Sequence, residues 1–285
     1  MALTNPGSLD GLGYRGATVV LTGGASGMGE AAARILGELG ASVHIADIAE
    51  PRVDCASFTR IDLADPDSVA ATAETLRAHG PIDYLLPIAG VPPQVLGPLG
   101  CLLVNYAGTR QFTDALLPSM NDGGAIGLVS STAARNWQDR LAEHLTLVDV
   151  ADPRELRRIF ADDPVRLRDG YSTSKELMIV WIQQWAPRLA EQRRIRINCI
   201  APCPTDTAFM AMTAERLGRA FMDSYPYPLL GRMPTAEEQA WSLLLLSSPL
   251  NAAVTGTVLF TDQGYAGGLL TGSLTPAQYA PQPAA

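Results

Sequence analysis

Lysine is nearly absent from this chain. Of 21 basic side chains in 285 residues only one is lysine, Lys175, and the rest are arginine. No block of basic residues exists, and the net charge is −8. A nucleic-acid role needs a basic face, and the densest cluster, around Arg193, reads instead as a helix end entering a strand. Cysteine is sparse too: Cys55, Cys101, Cys199 and Cys203 form no CxxC pair and no secreted framework. With only His44, His79 and His144 beside them, a zinc site or other metal centre is not expected. Free thiols fit a reducing cytoplasm. The start MALTNPGSLD has neither a basic region nor an apolar core, so no signal peptide is expected. No apolar run approaches the roughly 20 residues of a membrane span. Hydrophobic content of 47% against 18% charged argues for a globular chain rather than a disordered one.

The single lysine stands four residues after Tyr171, in YSTSK. Arginine serves almost everywhere else, so this position asks for a compact ammonium with a movable pKa. On a helix, Tyr171 and Lys175 share one face. A nearby positive charge favours phenolate and is expected to lower the tyrosine pKa, giving a general acid/base. The alternative is a chance lysine beside a core tyrosine.

Short β-branched runs alternate with helical patterns. Strands are expected at 17–21, 42–46, 58–61, 84–88, 125–129, 195–200 and 257–260. Helices are expected at 28–39, from Asp65-Pro66 to about His79, at 102–120, and from Tyr171 toward Gln192 with a kink at Pro187. Thr235 and Glu238 form a capping box for a helix through Leu246. Strands separated by helices imply an α/β fold with a doubly wound, mainly parallel seven-stranded sheet and helices on both faces. Two stretches break the alternation. Residues 135–169 form an insertion with its own helix signal at Asp152-Pro153, and the tail 272–285 is expected to be irregular.

TGGASGMG (Thr22 to Gly29) lies where the first strand meets the first helix. Gly23 permits a tight turn, and Gly27 and Gly29 let backbone approach a pyrophosphate at the helix N-terminus. A plain glycine-rich turn is the alternative. Asp47 ends the second strand, 18 residues after Gly29, where a carboxylate accepts ribose hydroxyls and repels a 2′-phosphate. It could also be a solvated loop acid. Ser26 rather than a cation precedes Gly27, and Arg52 is the one nearby basic residue. NAD is therefore expected over NADP.

With TGGASGMG, Asn105, Ser131 and YSTSK in this order, the chain resembles the short-chain dehydrogenase/reductase superfamily, in its compact subtype. The resemblance covers nearly everything from Arg15 to Gly268 and implies a single Rossmann-type domain over residues 1–285. It implies catalytic roles for Asn105, Ser131, Tyr171 and Lys175. Cofactor contacts are implied for Gly23, Ser26, Gly27, Met28, Gly29, Asp47, Asp62, Leu63, Ala89, Gly90, Tyr171, Lys175, Pro202, Thr205 and Thr207. Asn105 would hold a water beside the lysine. Three departures stand out: Ile88 where the family has Asn, Cys203 where it has Gly, and Gln263 inside its terminal Asp-Gly-Gly. Simpler readings are a helix cap for Asn105, a strand-end hydroxyl for Ser131 and turn residues for Thr205 and Thr207. Trp181 and Trp185 read as core.

The insertion, with VLG before the Asn105 helix and APxxT after strand six, looks like the 3α-hydroxysteroid dehydrogenase/carbonyl reductase branch. It would act as a lid or as an interface element, unless it is inert elaboration. The loop 208–230 carries Phe209, Met210, Met212, Phe221, Met222, Tyr225 and Tyr227. These would line a cleft for an alicyclic or steroid-like alcohol, or simply pack a flap helix. The expected activity is NAD-dependent interconversion of a secondary alcohol and its ketone. An NADPH-linked carbonyl reductase and a non-catalytic dinucleotide sensor are the alternatives. Expected partners are a small-molecule alcohol or ketone and a second copy, as a homodimer or homotetramer, with neither nucleic acid nor membrane.

Overall fold

The computed structural model describes residues 9–276. β1 (Thr18–Thr22) leads into α1 (Gly27–Glu38), β2 (Ser42–Asp47), β3 (Ser57–Arg60), α2 (Pro66–Arg77) and β4 (Ile82–Pro87). α3 (Pro93–Leu102) continues through a π-helical turn (Leu103–Gly108) into α4 (Thr109–Leu116), followed by β5 (Met120–Val129). Three short helices, α5 (Leu141–Leu145), α6 (Pro153–Asp162) and α7 (Pro164–Leu167), precede the long α8 (Tyr171–Arg193). β6 (Arg196–Pro202), α9 (Ala208–Leu217), α10 (Arg219–Ser224), α11 (Ala236–Ser247), β7 (Val258–Thr261) and α12 (Tyr265–Leu270) complete the order.

The sheet runs β3-β2-β1-β4-β5-β6-β7 with parallel pairing throughout. Strand order reverses between β1 and β4, so the loops leaving β1 and β4 part and open a crevice at the carboxyl edge. One apolar layer, including Tyr106, Phe112, Phe160 and Trp181, packs α2, α4 and α8 against one face. The other, including Leu21, Ile35, Ile45 and Leu243, packs α1 and α11 against the opposite face. Trp181 is fully buried and meets Trp185 edge-on at 6.0 Å between centroids, which is core packing.

Local chemistry explains the helix ends. The Asp65, Asp152 and Thr235 side chains each accept a backbone N–H from the first turn of their helix, and Glu238 closes the capping box with Thr235. The helix expected over 102–120 differs most. It starts earlier because Pro93, with no N–H to lose, suits a first helical turn, and it bends at Gly97, whose φ is +70°. It stops earlier because Leu117–Ser119 is a 3₁₀ turn containing Pro118, which donates nothing to a continuing helix. α8 runs as one helix through Pro187.

The insertion is a packed wall. Val148 and Phe160 are fully buried, and Leu156 nearly so. The buried Arg110 guanidinium of α4 donates to the carbonyls of Val148 and Val150, which fastens the insertion to the main body. The tail beyond residue 276 and the Phe221 side chain lie outside the described residues. Among the described residues, no helix is long and apolar enough to cross a membrane.

Two glycines test the packing. A methyl at Gly108 would overlap the Leu63 carbonyl, whereas one at Gly37 of α1 would meet nothing within 4 Å. Thermal or denaturant unfolding should show Gly108→Ala destabilised by about 3 kcal/mol or more. Gly37→Ala should gain about 0.5–1 kcal/mol through helix propensity.

Candidate active site

The sheet ends converge on a cleft of about 1050 Å³. Thr22, Asp47, Val129 and Pro202 end four strands along its edge. The helix that carries Tyr171 and Lys175 is held there by the end of β5. Ser130 Oγ donates to the Lys175 carbonyl at 3.0 Å, and Lys175 Nζ donates to the Val129 carbonyl at 2.6 Å. The amine is 4% exposed and lies 5.8 Å from the Tyr171 ring centroid. Burial drives the Lys175 pKa down to about 8, against small upward pulls from Cys101 and Cys199.

The phenol departs from the sequence expectation. Burial pushes Tyr171 up to about 12, while its hydrogen bond with the Ser131 side chain lowers it and the Cys101 and Asp169 charges raise it. Lys175 does not reverse this, because its ammonium is turned onto the Val129 carbonyl rather than onto the phenol oxygen. Burial thus favours the protonated phenol at neutral pH. Ser131 is 9% exposed, and its Oγ also accepts the Ala133 N–H at 3.1 Å.

Asn105 sits fully buried in the π turn. Its Oδ1 accepts from Val91 N at 2.8 Å, and its Nδ2 donates to Val91 O at 3.0 Å and to Cys101 Sγ at 3.2 Å. This side chain clamps the strand-four loop. It lies inside a helical turn rather than at a helix end, so it is not a helix cap. A Cβ built on Gly90 would lie 3.3 Å from Asn105 Oδ1 and 3.7 Å from Lys175 Nζ, so the loop passes directly over both.

The glycine loop is a close-packed cradle. Gly23 has φ +80°, and a side chain there would strike the backbone of Ala89 at 2.7 Å. A Cβ on Gly29 would overlap the Gly23 carbonyl. Ser26, at the start of α1, makes no side-chain capping bond, so the first-turn N–H groups of this 12-residue helix remain open toward the cleft. Asp47 accepts the N–H of Ala25 through one oxygen and that of Ala49 through the other, each at 3.0 Å. Asp62 accepts from Ala64 N, and Leu63 is buried beside it. Ser26, Gly27, Met28, Asp47, Asp62, Leu63, Ala89, Gly90, Pro202, Thr205 and Thr207 all line the cleft, and Arg52 does not.

The departures have physical answers. Ile88 is 7% exposed and joins the apolar layer, replacing a polar brace by packing. Cys203 is not among the residues with positive φ, so no glycine is required there. Its thiol packs with Tyr225 and Tyr265. Thr205 Oγ1 donates to Cys203 O, and Thr207 caps α9 by accepting from Met210 N. Gln263 does take the left-handed position, φ +60°. Its Oε1 accepts from Leu229 N and Leu230 N, and its Nε2 donates to Arg232 O, so a strained residue clasps the loop beside the cleft.

Sequence reading overlooked Glu176. This carboxylate, next to Lys175 and 3% exposed, meets Arg140 at 3.0 Å, His144 at 2.9 Å and Arg168 at 3.1 Å. Burial opposes its ionisation, yet the His144 bond and the Arg140 and Arg168 charges win, and its pKa is lowered. Three insertion residues thus grip the helix that carries Tyr171 and Lys175. An acid inside the apolar run ELMIVWI was the available signal. Among the described residues, no group of three His, Cys, Asp or Glu is placed to hold a metal.

Comparison with known proteins agrees with this geometry. Residues 17–142 match the family model described as short chain dehydrogenase, and residues 159–266 the model described as Enoyl-(Acyl carrier protein) reductase. The chain is 34% identical over 205 residues to a coniferyl-alcohol dehydrogenase from Pseudomonas sp. (strain HR199 / DSM 7063), covering 70% of this chain and 78% of that one. It is 29% identical over 257 residues to cis-4-hydroxycyclohexanecarboxylate dehydrogenase of Sinomonas cyclohexanicum, covering 86% and 95%. The fold matches the crystal structure of 3-alpha-hydroxysteroid dehydrogenase from Pseudomonas sp. B-0831 complexed with NADH. The TM-score is 0.75 at 24% identity, over 91% of this chain and 100% of that one.

The buried amine has a signature in stability. At pH 7 Lys175 is charged in both states, and its burial costs on the order of 3 kcal/mol. Between its folded pKa of about 8 and the ordinary lysine value of 10.5, the unfolded chain binds more protons, so folding stability rises with pH. Lys175→Met removes this contribution. Melting curves should show wild type gaining stability relative to Lys175→Met from pH 8 to 10, and a constant difference would contradict the burial.

Proposed function

The chain belongs to the short-chain dehydrogenase/reductase family of oxidoreductases, and from that membership we propose that it interconverts a secondary alcohol and its ketone with NAD. The observation that carries the reading is the joint position of Ser131, Tyr171 and buried Lys175 on one cleft, beside the glycine cradle. A dinucleotide fits that cradle, since the tight approaches at Gly23 and Gly29 leave backbone where side chains would intrude. Its pyrophosphate would lie at the start of α1, its adenosine ribose at Asp47 and its adenine near Asp62 and Leu63. When bound, the nicotinamide supplies the hydride acceptor.

Tyr171 exchanges the proton of the substrate oxygen. Ser131 holds that oxygen and stabilises the charge it develops. Lys175 keeps a positive charge under the phenol, and Asn105 fixes the loop above it through Val91. Asn105 and a water would relay the proton to solvent. A phenol near 12 is an acid at neutral pH, the form carbonyl reduction needs, whereas alcohol oxidation needs phenolate. The kcat/KM for oxidation should therefore rise from pH 7 to about 9 while that for reduction does not.

NAD is preferred over NADP because Asp47 would face a 2′-phosphate and no arginine lines that end of the cleft. The names of the ring-alcohol and hydroxysteroid relatives support an alicyclic substrate, and Phe209, Met210 and Tyr225 give the cleft apolar walls. The insertion acts as a cleft wall, and the working unit is a homodimer or homotetramer.

Tyr171→Phe should reduce turnover of a cyclohexanol panel by about 10³-fold or more while NADH still binds. Substantial turnover in that variant would remove the phenol from the chemistry. Fluorescence titration should give NADH an affinity at least about 100-fold above NADPH, with Asp47→Ala narrowing the gap. Equal affinities in wild type would refute the reading of Asp47.

A further inference from the structure

The substrate end of the cleft is apolar on three sides. Val95 and Leu96, each 49% exposed, form one wall, and Phe209, packed 5.8 Å from the Tyr171 ring, and Tyr225 form others. Three arginines of the insertion, Arg135, Arg140 and Arg168, also line the cleft, and Arg140 is spent on Glu143 and Glu176. Among the described residues Arg135 has no ion-pair partner, and its one side-chain hydrogen bond is a long contact of 3.4 Å to the Thr132 carbonyl. Arg168 uses Nη1 on Glu176 and remains 48% exposed.

The backbone of Arg168 is the second observation. Its φ of 57° and ψ of −129° belong to a region that glycine occupies and other residues avoid. A glycine there would remove the strain, yet an arginine is held in it at the cleft. Glu176 alone does not call for Arg168, since Arg140 and His144 already bind that carboxylate. The remaining acids of this wall are Asp169, whose two oxygens accept from the backbone N–H and hydroxyl of Ser172, and Asp139, which is exposed.

We propose that Arg135 and Arg168 form an anion subsite, and that the substrate is a hydroxy acid whose hydroxyl and carboxylate lie at opposite ends of an apolar ring. This rests on the oxidoreductase reading above and narrows its substrate class. Ser131 and Arg135 are separated by one 3₁₀ turn, Thr132–Ala134. At about 2 Å rise per residue their backbones are about 8 Å apart, the span of one ring with its substituents. A guanidinium with unused donors pairs with a carboxylate bidentately, and the apolar walls strengthen that pairing.

The experiment compares cis-4-hydroxycyclohexanecarboxylate with its methyl ester, in wild type, Arg135→Gln and Arg168→Gly, reading the acid-to-ester ratio of kcat/KM. Wild type should favour the acid at least about tenfold, and Arg135→Gln should carry the ratio toward one. Arg168→Gly should lower the ratio as well, with an unchanged circular dichroism spectrum showing that the fold is kept. An ester turned over as well as the acid by wild type, or a ratio unchanged in Arg135→Gln, would overturn the subsite and leave the alcohol chemistry standing. If no alcohol is turned over with either dinucleotide, the oxidoreductase reading itself fails. Calorimetric binding of cyclohexanecarboxylate to the wild-type and Arg135→Gln NADH complexes then decides the subsite: tighter binding by wild type supports it, and equal or absent binding overturns it.

Discussion

One bond organises the site: the Lys175 ammonium on the Val129 carbonyl, at 2.6 Å and almost wholly out of water. A charged amine in that position is expensive and needs a strong acceptor. The carbonyl at the end of β5 supplies it, and Ser130 grips the same residue through its backbone. Helix, strand and loop are thereby fixed to one another within a few ångströms of Tyr171 and Ser131. Arginine, broader and more firmly protonated, could not take this place.

The chain's motifs were legible because each is a local requirement. Gly23 and Gly29 answer to backbone approach, Asp47 to the end of a strand, and Tyr171 with Lys175 to one helix face. Local pattern also gave the capping box at Thr235 and the places of the strands along the chain. It failed where distant parts of the chain decide. The clamp of Asn105 on Val91 depends on a π turn that no propensity encodes. The acid state of Tyr171 depends on burial outweighing its hydrogen bond with Ser131. Glu176 looks like a surface acid until three residues of the insertion are brought onto it.

The insertion is therefore part of the active site's construction. It packs through Val148 and Phe160, is riveted to α4 through Arg110, and grips α8 at the residue next to Lys175. The same segment brings Arg135 and Arg168 to the cleft. Gln263 does the corresponding work on the opposite side, accepting left-handed strain to hold the loop at Leu229 and Leu230. Strained residues on both rims, each held by side-chain bonds, fit a cleft shaped for one class of ligand.

Because the chain holds a single lysine, protein labelled with carbon-13 at lysine Cε gives one ε-resonance, and its titration reads the central amine directly. A midpoint near 8 is expected in the free protein, with a resonance that shifts on saturation with NADH. A midpoint near the ordinary lysine value of 10.5, indifferent to NADH, would place the amine in water and away from the Val129 carbonyl.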